Sequence, residues 1–303
     1  MLEQSEKIEF GDIAPDKSDH SKVSTLVVAS YNIRYAVGRY LISGGLLRKA
    51  GLRRTSVRSR NVAQNIHTAA KAFTDDRLLP GVDVLAIQEA DKETARAGRR
   101  HVTRELAHEL NMSWIHLPAG LPRGIQPQKR QWWLDFEEPI GLDDSGDTGV
   151  AILSRYPMRD VVRIDLPWGE CPWRPRLSVG VTIEAGTSKV RLFNSHIDPH
   201  SGVAGQMDQV GVVLDHARQA TEPTVILGDF NTLSDNKCVE MRRMLEAEGY
   251  TTPFPTGTAT WRGAGIRLHA DWIFVRNLKI SRWGVARPLG VSDHWPVWAE
   301  IEL

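Results

Sequence analysis

Residues 223–231, PTVILGDFN, are apolar on both faces of an extended chain and then end in polar side chains. A strand has this composition when it is covered above and below. Asp229 and Asn231 are two residues apart, so they project to the same side if the strand continues, and they aim one acceptor and one amide at a common point. The alternative is an Asx-type turn.

Other apolar runs along the chain repeat this shape, with a polar residue at one end. They are STLVVASYNI (24–33), VDVLAIQE (82–89), KVRLFNSHID (189–198) and ADWIFV (270–275), and GVAILSRYP (149–157) and WPVWAEIEL (295–303) add further strands. Helical periodicity occurs between them at 58–73, 102–110, 204–220 and 237–249. Helices interleaved with strands, together with direct strand-to-strand successions, predict an α/β fold (α+β type) with mixed sheets, in a single domain over 23–303.

The overall charge gives no strong attraction to nucleic acid or membranes, because 38 basic and 37 acidic residues leave a formal net charge of +1. Two cysteines, Cys171 and Cys238, supply neither a disulfide framework nor a metal-binding pair. The polar stretch 1–22 lacks periodicity and predicts a disordered tail. No run has the length of a secretory signal or a membrane span, so we expect a cytoplasmic location.

Two segments fit neither pattern. Residues 36–60 hold seven Arg or Lys and no acid, which predicts either a solvated loop, a rim for an anionic substrate, or a peripheral membrane contact. Residues 118–147 form a long loop with adjacent tryptophans, and long loops in compact domains tend to be functional. The loop tryptophans either pack or stack on bases and sugars. They are Trp132, Trp133, Trp168 and Trp173.

Polar residues at the ends of apolar runs are individually ambiguous. Glu89, taken alone, is better interpreted as half of a salt bridge or as the first solvated residue of a loop, and a lone histidine such as His196 is more often structural. Eight polar residues at the ends of apolar runs would rarely arise from eight separate structural causes. They are Asn32, Glu89, His196, Asp229, Asn231, Asp271, Asp293 and His294. Carboxylate and amide oxygens without a cysteine cluster indicate a hard divalent cation, Mg²⁺ or Mn²⁺, and two imidazoles add proton transfer near neutral pH.

These residues, in this order, resemble the endonuclease/exonuclease/phosphatase superfamily. The matching stretches are SYNIR, LAIQEA, VAILSRYP, FNSHID, VILGDFNT, ADWIFV and SDHWPV. The resemblance implies a four-layer α/β sandwich in which two mixed β-sheets pack face to face, flanked by helices, with a metal site at one end of the sheets. It implies a magnesium-dependent phosphoric ester hydrolase that acts by in-line attack of water on phosphorus.

The resemblance also implies a role for each site residue. Glu89 is the principal metal ligand, with Asn32 and Asp293 close to the ion. Asp229 and Asn231 orient the attacking water and hold a phosphate oxygen, and His196 donates to the scissile phosphate. His294 contacts that phosphate or moves a proton, and Asp271 orients it. Either Asp229 or His294 is the general base.

The substrate is not defined by these motifs. Arg34, Arg176, His200 and His269 are candidates for substrate binding. Where many relatives have Arg or Lys shortly before the acid of the DWIF strand, this chain has His269, with Arg267 further back. A phosphodiester or phosphomonoester of a small molecule or lipid headgroup is the first hypothesis, and DNA or RNA is the second. The third is a catalytically inactive binding module of the same fold. We expect no obligate protein partner under any of these hypotheses.

Overall fold

The computed structural model describes residues 8–12, 23–38, 55–121, 140–141, 143–167, 175–263, 265–287 and 289–303.

Seven strands form the first sheet, in the order β1-β4-β5-β3-β2-β14-β13. They are β1 (Glu9–Gly11), β2 (Thr25–Asn32), β3 (Val84–Gln88), β4 (Ser113–Pro118), β5 (Gly149–Ser154), β13 (Lys279–Val285) and β14 (Val297–Glu302). Only β2 and β3 pair in parallel, so the sheet is mixed, as predicted.

Five strands form the second sheet, in the order β12-β9-β8-β7-β6. They are β6 (Met158–Asp165), β7 (Leu177–Ala185), β8 (Ser188–His196), β9 (Thr224–Asp229) and β12 (Asp271–Arg276). Here the one parallel pair is β8 and β9. A separate hairpin joins β10 (Trp261–Gly263) to β11 (Ile266–Leu268).

Strands such as β2 are apolar on both faces because each face is covered, one by the other sheet and one by helices. In β2, Leu26 and Val28 belong to the core between the sheets, whereas Val27, Ala29 and Tyr31 face the outer layer. That layer contains α1 (Thr55–Thr74) and α2 (Val102–Leu110). On the far side, α3 (Val203–Ala217) and α4 (Asp235–Ala247) cover the five-stranded sheet. The predicted four-layer sandwich is therefore confirmed.

The amino-terminal region differs from the prediction of disorder over 1–22. Residues 9–11 form β1, which pairs antiparallel with β4 so that Phe10 is opposite Ile115. The carboxylate of Glu9 forms a salt bridge with Lys92 and lies 3.1 Å from Nε2 of His101. These contacts hold an otherwise polar segment at the sheet edge, and no local sequence pattern indicates them. The remainder of the predicted tail, 1–7 and 13–22, lies outside the described residues.

Most of the two irregular segments also lies outside the described residues, which omit 39–54, 122–139 and 142. The same holds for Trp132, Trp133, Trp168 and Trp173 and for Cys171. Residues 55–60 of the basic segment are part of α1. None of the helices in the described ranges has both the length and the apolar character required to cross a bilayer.

Candidate active site

The carboxyl ends of the two parallel strand pairs meet at one edge of the sandwich. In the first sheet Asn32, the last residue of β2, is paired with Gln88, so Glu89 follows directly at the same edge. In the second sheet His196 is paired with Asp229, and Asp271 is opposite Asp229 from the other side. Because the sheets pack face to face, strands that are distant in sequence bring their polar end residues together.

The backbone turns sharply at these strand ends. Arg34, Glu89 and Asn231 all have left-handed backbone conformations, with φ of 47°, 53° and 50°. Such conformations cost a non-glycine residue on the order of 1 kcal/mol each, and they cluster at functional sites. Next to Asp229, a Cβ added to Gly228 would lie 2.0 Å from the carbonyl oxygen of Ser195, so only glycine allows β9 to approach β8 this closely.

Asp229 is at the centre of the site and is 1% exposed. Its Oδ2 accepts a 2.9 Å hydrogen bond from Nδ2 of Asn32, and its Oδ1 accepts one of 2.9 Å from the backbone N of Asn231. Its Oδ2 also lies 3.7 Å from Nε2 of His196 and 3.8 Å from Nε2 of His294. The structure therefore brings four other predicted residues together around the carboxylate of Asp229.

Asp271 holds His294 from the opposite side to Asp229. Nδ1 of His294 lies 2.9 Å from Oδ2 of Asp271, and both side chains are buried. The backbone N of Asp271 donates to the hydroxyl of Thr260, which fixes the start of β12. Three groups, Asp271, His294 and Asp229, thus form a line across the site, an arrangement that orients an imidazole and stabilises its charged form.

The electrostatics of this line favour a positive imidazole beside carboxylates. Burial lowers the pKa of His294, but the charges of Asp271 and Asp229 outweigh it and raise that pKa well above its ordinary value. Burial raises the pKa of Asp229 towards neutrality, and the negative charges of Asp271 and Glu89 add to the rise, while His294 and the hydrogen bond from Asn32 oppose it. The site therefore carries an excess of negative charge.

His196 lies between the carboxylates and a buried arginine. Nη1 of Arg176 is 2.9 Å from Nε2 of His196, and Nε2 of His196 is 4.0 Å from Oε1 of Glu89. Nη2 of Arg176 is 3.9 Å from Oδ1 of Asp198. Burial raises the pKa of Asp198, but Arg176 and the hydroxyl of Ser201 more than compensate, so that this pKa is lowered overall. The predicted substrate-binding residue Arg176 is thus at the site.

Asp293 and Arg34 form an ion pair at the rim, with 3.3 Å between Oδ2 and Nη1. The same Oδ2 accepts a 3.1 Å hydrogen bond from Nε1 of Trp261. The hydroxyl of Ser292 donates to the carbonyl of Asn32 at 2.8 Å, which attaches this segment to the end of β2. Arg34 therefore borders the site, but its guanidinium contacts Asp293.

A buried hydrogen-bond bridge joins the two sheets beneath the site. Nε2 of Gln88 donates to Oδ1 of Asn194 at 2.6 Å. Nδ2 of Asn194 donates in turn to the carbonyls of Ile87 and Ala151, at 3.0 and 2.9 Å. Since β8 carries Asn194 and β3 carries Gln88, this bridge fixes the spacing between the strands that present His196 and Glu89.

Two predicted substrate-binding histidines are placed differently. His269 is 3% exposed, and its ring stacks on Trp272 with 3.7 Å between the centroids, so a role in substrate binding does not fit this placement. Burial lowers the pKa of His269 to about 3, which keeps it neutral. His200 is half-buried in the turn after β8, where its backbone N donates to Asp198. It borders the site through that carboxylate.

The residues fit a divalent cation. Among the described residues, Asp229, Asp271 and His294 offer ligand atoms that lie within 4.8 Å of one another. This group differs from the predicted ligands Glu89, Asn32 and Asp293, which lie around it. Oδ1 of Asp271 is buried and has no hydrogen-bond partner among the described residues. An excess of buried carboxylates with an unsatisfied oxygen is the donor chemistry that Mg²⁺ and Mn²⁺ prefer.

Several residues that complete the site carried no sequence signal of their own. Trp261, Ser292 and Thr260 hold Asp293 and Asp271 in place, but each is a common residue type in a loop or a short strand. Gln88 could have been found from its place inside an apolar run, where a buried amide requires a partner.

Comparisons with known proteins agree with this geometry. Residues 29–294 match the sequence profile of the Endonuclease/Exonuclease/phosphatase family. An endonuclease/exonuclease/phosphatase from Beutenbergia cavernae DSM 12333 is similar, with a TM-score of 0.63 and 16% identity over 93% of this chain and 72% of that chain. A humanized D. rerio TDP2 carrying 14 mutations has a TM-score of 0.58 and 15% identity over 93% and 100%. The mannosyl-6-phosphatase Bt3783 of Bacteroides thetaiotaomicron VPI-5482 has a TM-score of 0.55 and 17% identity, over 91% of this chain and 99% of that chain. A comparison with curated protein sequences gave no match.

Proposed function

Because this chain belongs to the endonuclease/exonuclease/phosphatase family, whose members are phosphoester hydrolases, we propose that it is a Mg²⁺-dependent enzyme that hydrolyses a phosphomonoester or phosphodiester of a small molecule or lipid headgroup. The observation that carries the proposal is the buried line from Asp271 through His294 to Asp229, with 2.9 Å at the first contact and 3.8 Å at the second. The near-neutral charge of the chain favours a small substrate over a polymer.

In this proposal His294 is the proton donor and phosphate contact. Its raised pKa keeps the imidazole positive at neutral pH, so its Nε2 hydrogen is available to the reacting phosphate. As water attacks phosphorus and the ester P–O bond breaks, the departing oxygen would take this proton, while the proton of the water passes to the general base. Asp271 keeps the ring oriented and charged through Nδ1. His294 is therefore a poor candidate for the general base in this protonation state.

Asp229 is the general base of the proposal. A general base works best when its pKa is near the working pH, and burial raises the pKa of Asp229 in that direction. Hydrogen bonds from Asn32 and from the backbone of Asn231 fix the carboxylate so that it can take a proton from a water molecule. Asn231 and His196 would then contact the phosphoryl oxygens from the other side.

Glu89 would hold the cation, with Asn32 and Asp293 near it. A bound Mg²⁺ supplies Lewis-acid stabilisation of the phosphoryl oxygens, as family membership suggests. Arg176, which contacts His196, adds a fixed positive charge for the substrate phosphate. The cation then balances the remaining negative charge of the site and that of the substrate phosphate.

The experiment is a hydrolysis panel of sugar phosphates, phospholipid headgroups and a short DNA duplex, each with and without Mg²⁺. His294→Asn should lower turnover by at least about 100-fold on any accepted substrate, a typical effect for losing an acid–base group. Glu89→Gln should lower it by a similar factor, because it removes the charged ligand of the cation. Asp208→Asn, an exposed acid on α3, is the matched control. Unchanged turnover in both site variants would refute the proposal, and hydrolysis of the duplex alone would make the chain a nuclease.

A further inference from the structure

The β10–β11 hairpin is attached directly to the segment that carries the catalytic residues. The backbone N of Arg262 donates to the carbonyl of Asp293 at 2.9 Å, and the backbone N of Trp295 donates to the carbonyl of Thr260 at 2.7 Å. Trp261 also forms a β-bridge with His294. Side chains on this hairpin are therefore held at a fixed position beside the site.

Three arginines lie together on or next to this hairpin. Arg262 and Arg267 are directly opposite each other in the register of the hairpin. The guanidinium carbons of Arg262 and Arg287 lie 4.6 and 4.7 Å from the ring centroid of Trp295, the residue after His294. Like charges that are directly opposite across a strand pair destabilise it, so this grouping costs stability.

No carboxylate compensates the outer two arginines. Among the described residues, neither Arg267 nor Arg287 forms a salt bridge, and both are exposed. Burial of the guanidinium and the charge of Arg267 both lower the pKa of Arg287. The cation–π contact with Trp295 explains the position of Arg287, but nothing in the described part of the chain explains a third positive charge at Arg267.

Several exposed arginines elsewhere on the surface have a carboxylate partner, although Arg60 and Arg104 are exposed without a salt bridge among the described residues. Arg218 pairs with Glu248, Arg242 with Glu246 and Arg282 with Glu300. Three arginines that lie together beside a catalytic edge, two of them without an acid, therefore stand out from these paired positions. Guanidinium groups bind phosphate oxygens through charge-assisted hydrogen bonds, and a second anion would remove their mutual repulsion.

We propose that Arg262, Arg267 and Arg287 form a subsite for a second phosphate group of the substrate, distinct from the phosphate that is hydrolysed. This inference rests on the proposed phosphohydrolase function and narrows it to substrates that carry at least two phosphates. The second phosphate belongs either to a small polyphosphorylated molecule or to the next nucleotide of a short strand.

Binding measured by isothermal titration calorimetry tests this without relying on turnover. The probes are orthophosphate, sodium tripolyphosphate and a short oligothymidylate, all at one fixed concentration of free Mg²⁺ and one salt concentration. Arg267→Ala and Arg287→Ala should each weaken tripolyphosphate binding about tenfold, as expected for a hydrogen bond to a charged group, and change orthophosphate binding less than twofold. Arg242→Ala removes an arginine on α4 and is the control, which should leave all three affinities unchanged.

The outcomes separate the two sources of phosphate. Weakened tripolyphosphate binding indicates a small polyphosphorylated substrate, whereas weakened oligothymidylate binding alone indicates a nucleotide chain. Wild-type affinities for tripolyphosphate and for oligothymidylate that are both no higher than that for orthophosphate, or arginine variants with unaltered affinity for both polyanions, would overturn the subsite. If the phosphohydrolase proposal itself fails, the wild type will instead show no turnover, or a turnover that Glu89→Gln and His294→Asn leave unchanged.

Discussion

Nδ1 of His294 lies 2.9 Å from Oδ2 of Asp271, and the two residues are 23 positions apart in the sequence. The contact points Nε2 of the same ring at Asp229, 3.8 Å away. Because all three side chains are buried, their charges interact strongly and the imidazole is stabilised in its positive form. Replacement of any one of them therefore changes the protonation of the others.

Asp271→Asn keeps a side chain of the same shape but removes its negative charge. We expect kcat to fall by about 100-fold, within the range for a general acid or base. The limb of the kcat–pH profile assigned to His294 should move to lower pH, because the lost charge lowers the pKa of the imidazole. A kcat–pH profile of the variant, compared with Asp208→Asn, measures both. An unmoved limb would contradict the assignment of that limb to His294.

Removal of Mg²⁺ tests which residues hold the cation. At a Mg²⁺ concentration of about 100 times Kd, binding should stabilise the folded protein by about 2.7 kcal/mol. Glu89→Gln should lose this rise in Tm if Glu89 is the principal ligand, whereas Asp271→Asn should keep it. Thermal unfolding with EDTA and with Mg²⁺ measures the difference. The reverse pattern would assign the cation to Asp229, Asp271 and His294.

Asn194→Leu breaks the bridge between the sheets. The substitution leaves the carbonyls of Ile87 and Ala151 without partners in a buried region, which should lower the free energy of unfolding by about 3 kcal/mol. Turnover should also fall, because the spacing between Glu89 and His196 depends on this bridge. Urea unfolding measures the loss, and Gln64→Leu on the exposed face of α1 should change stability by less than about 0.5 kcal/mol. A loss as small as that of the control would contradict the role of the bridge.

The contribution of buried histidines to the stability of the fold should fall as the pH falls below about 6.5, the ordinary pKa of histidine, whereas the raised pKa of Asp229 acts in the opposite direction. Burial lowers the pKa of both His116 and His269 to about 3, so the unfolded chain binds protons that the folded protein excludes. This stability is fully present above the unfolded pKa and is lost as the pH falls towards the folded pKa. At pH 5 each histidine should cost about 2 kcal/mol relative to pH 7.

His269→Phe keeps the stacking on Trp272 but cannot titrate, so it should remove about half of this loss. Urea unfolding at pH 7 and pH 5 measures the change. An equal loss in the variant and the wild type would exclude His269 as a source of the acid sensitivity.

The elements of the fold could be predicted from the sequence where local pattern and burial agree. Helix α2 was expected at 102–110 and has those bounds, and the doubly apolar strands β2, β3, β8 and β9 were all found. Strand β13 is largely exposed and shows little hydrophobic alternation, so its place depends on pairing with β14. Strand β1 depends on tertiary contacts alone.

The candidate site was predictable as a set of residues but not as a network. Polar residues at strand ends predicted that Asp229, Asp271 and His294 converge, because strands of packed sheets end at a common edge. His269 lies two residues before Asp271, yet its ring is buried and stacks on Trp272. No local pattern in the sequence shows that difference, because it depends on the packing around the start of β12.

Strand β1 has a practical consequence for protein production. The family match begins at residue 29, and a recombinant chain that starts just before β2 would keep that match but lack the three residues that cover the free edge of β4. The uncovered backbone groups of β4 would then be open to pairing with a second molecule, and Lys92 and His101 would lose the carboxylate of Glu9. Such a shortened protein should self-associate in solution, whereas one that retains Glu9–Gly11 should remain monodisperse.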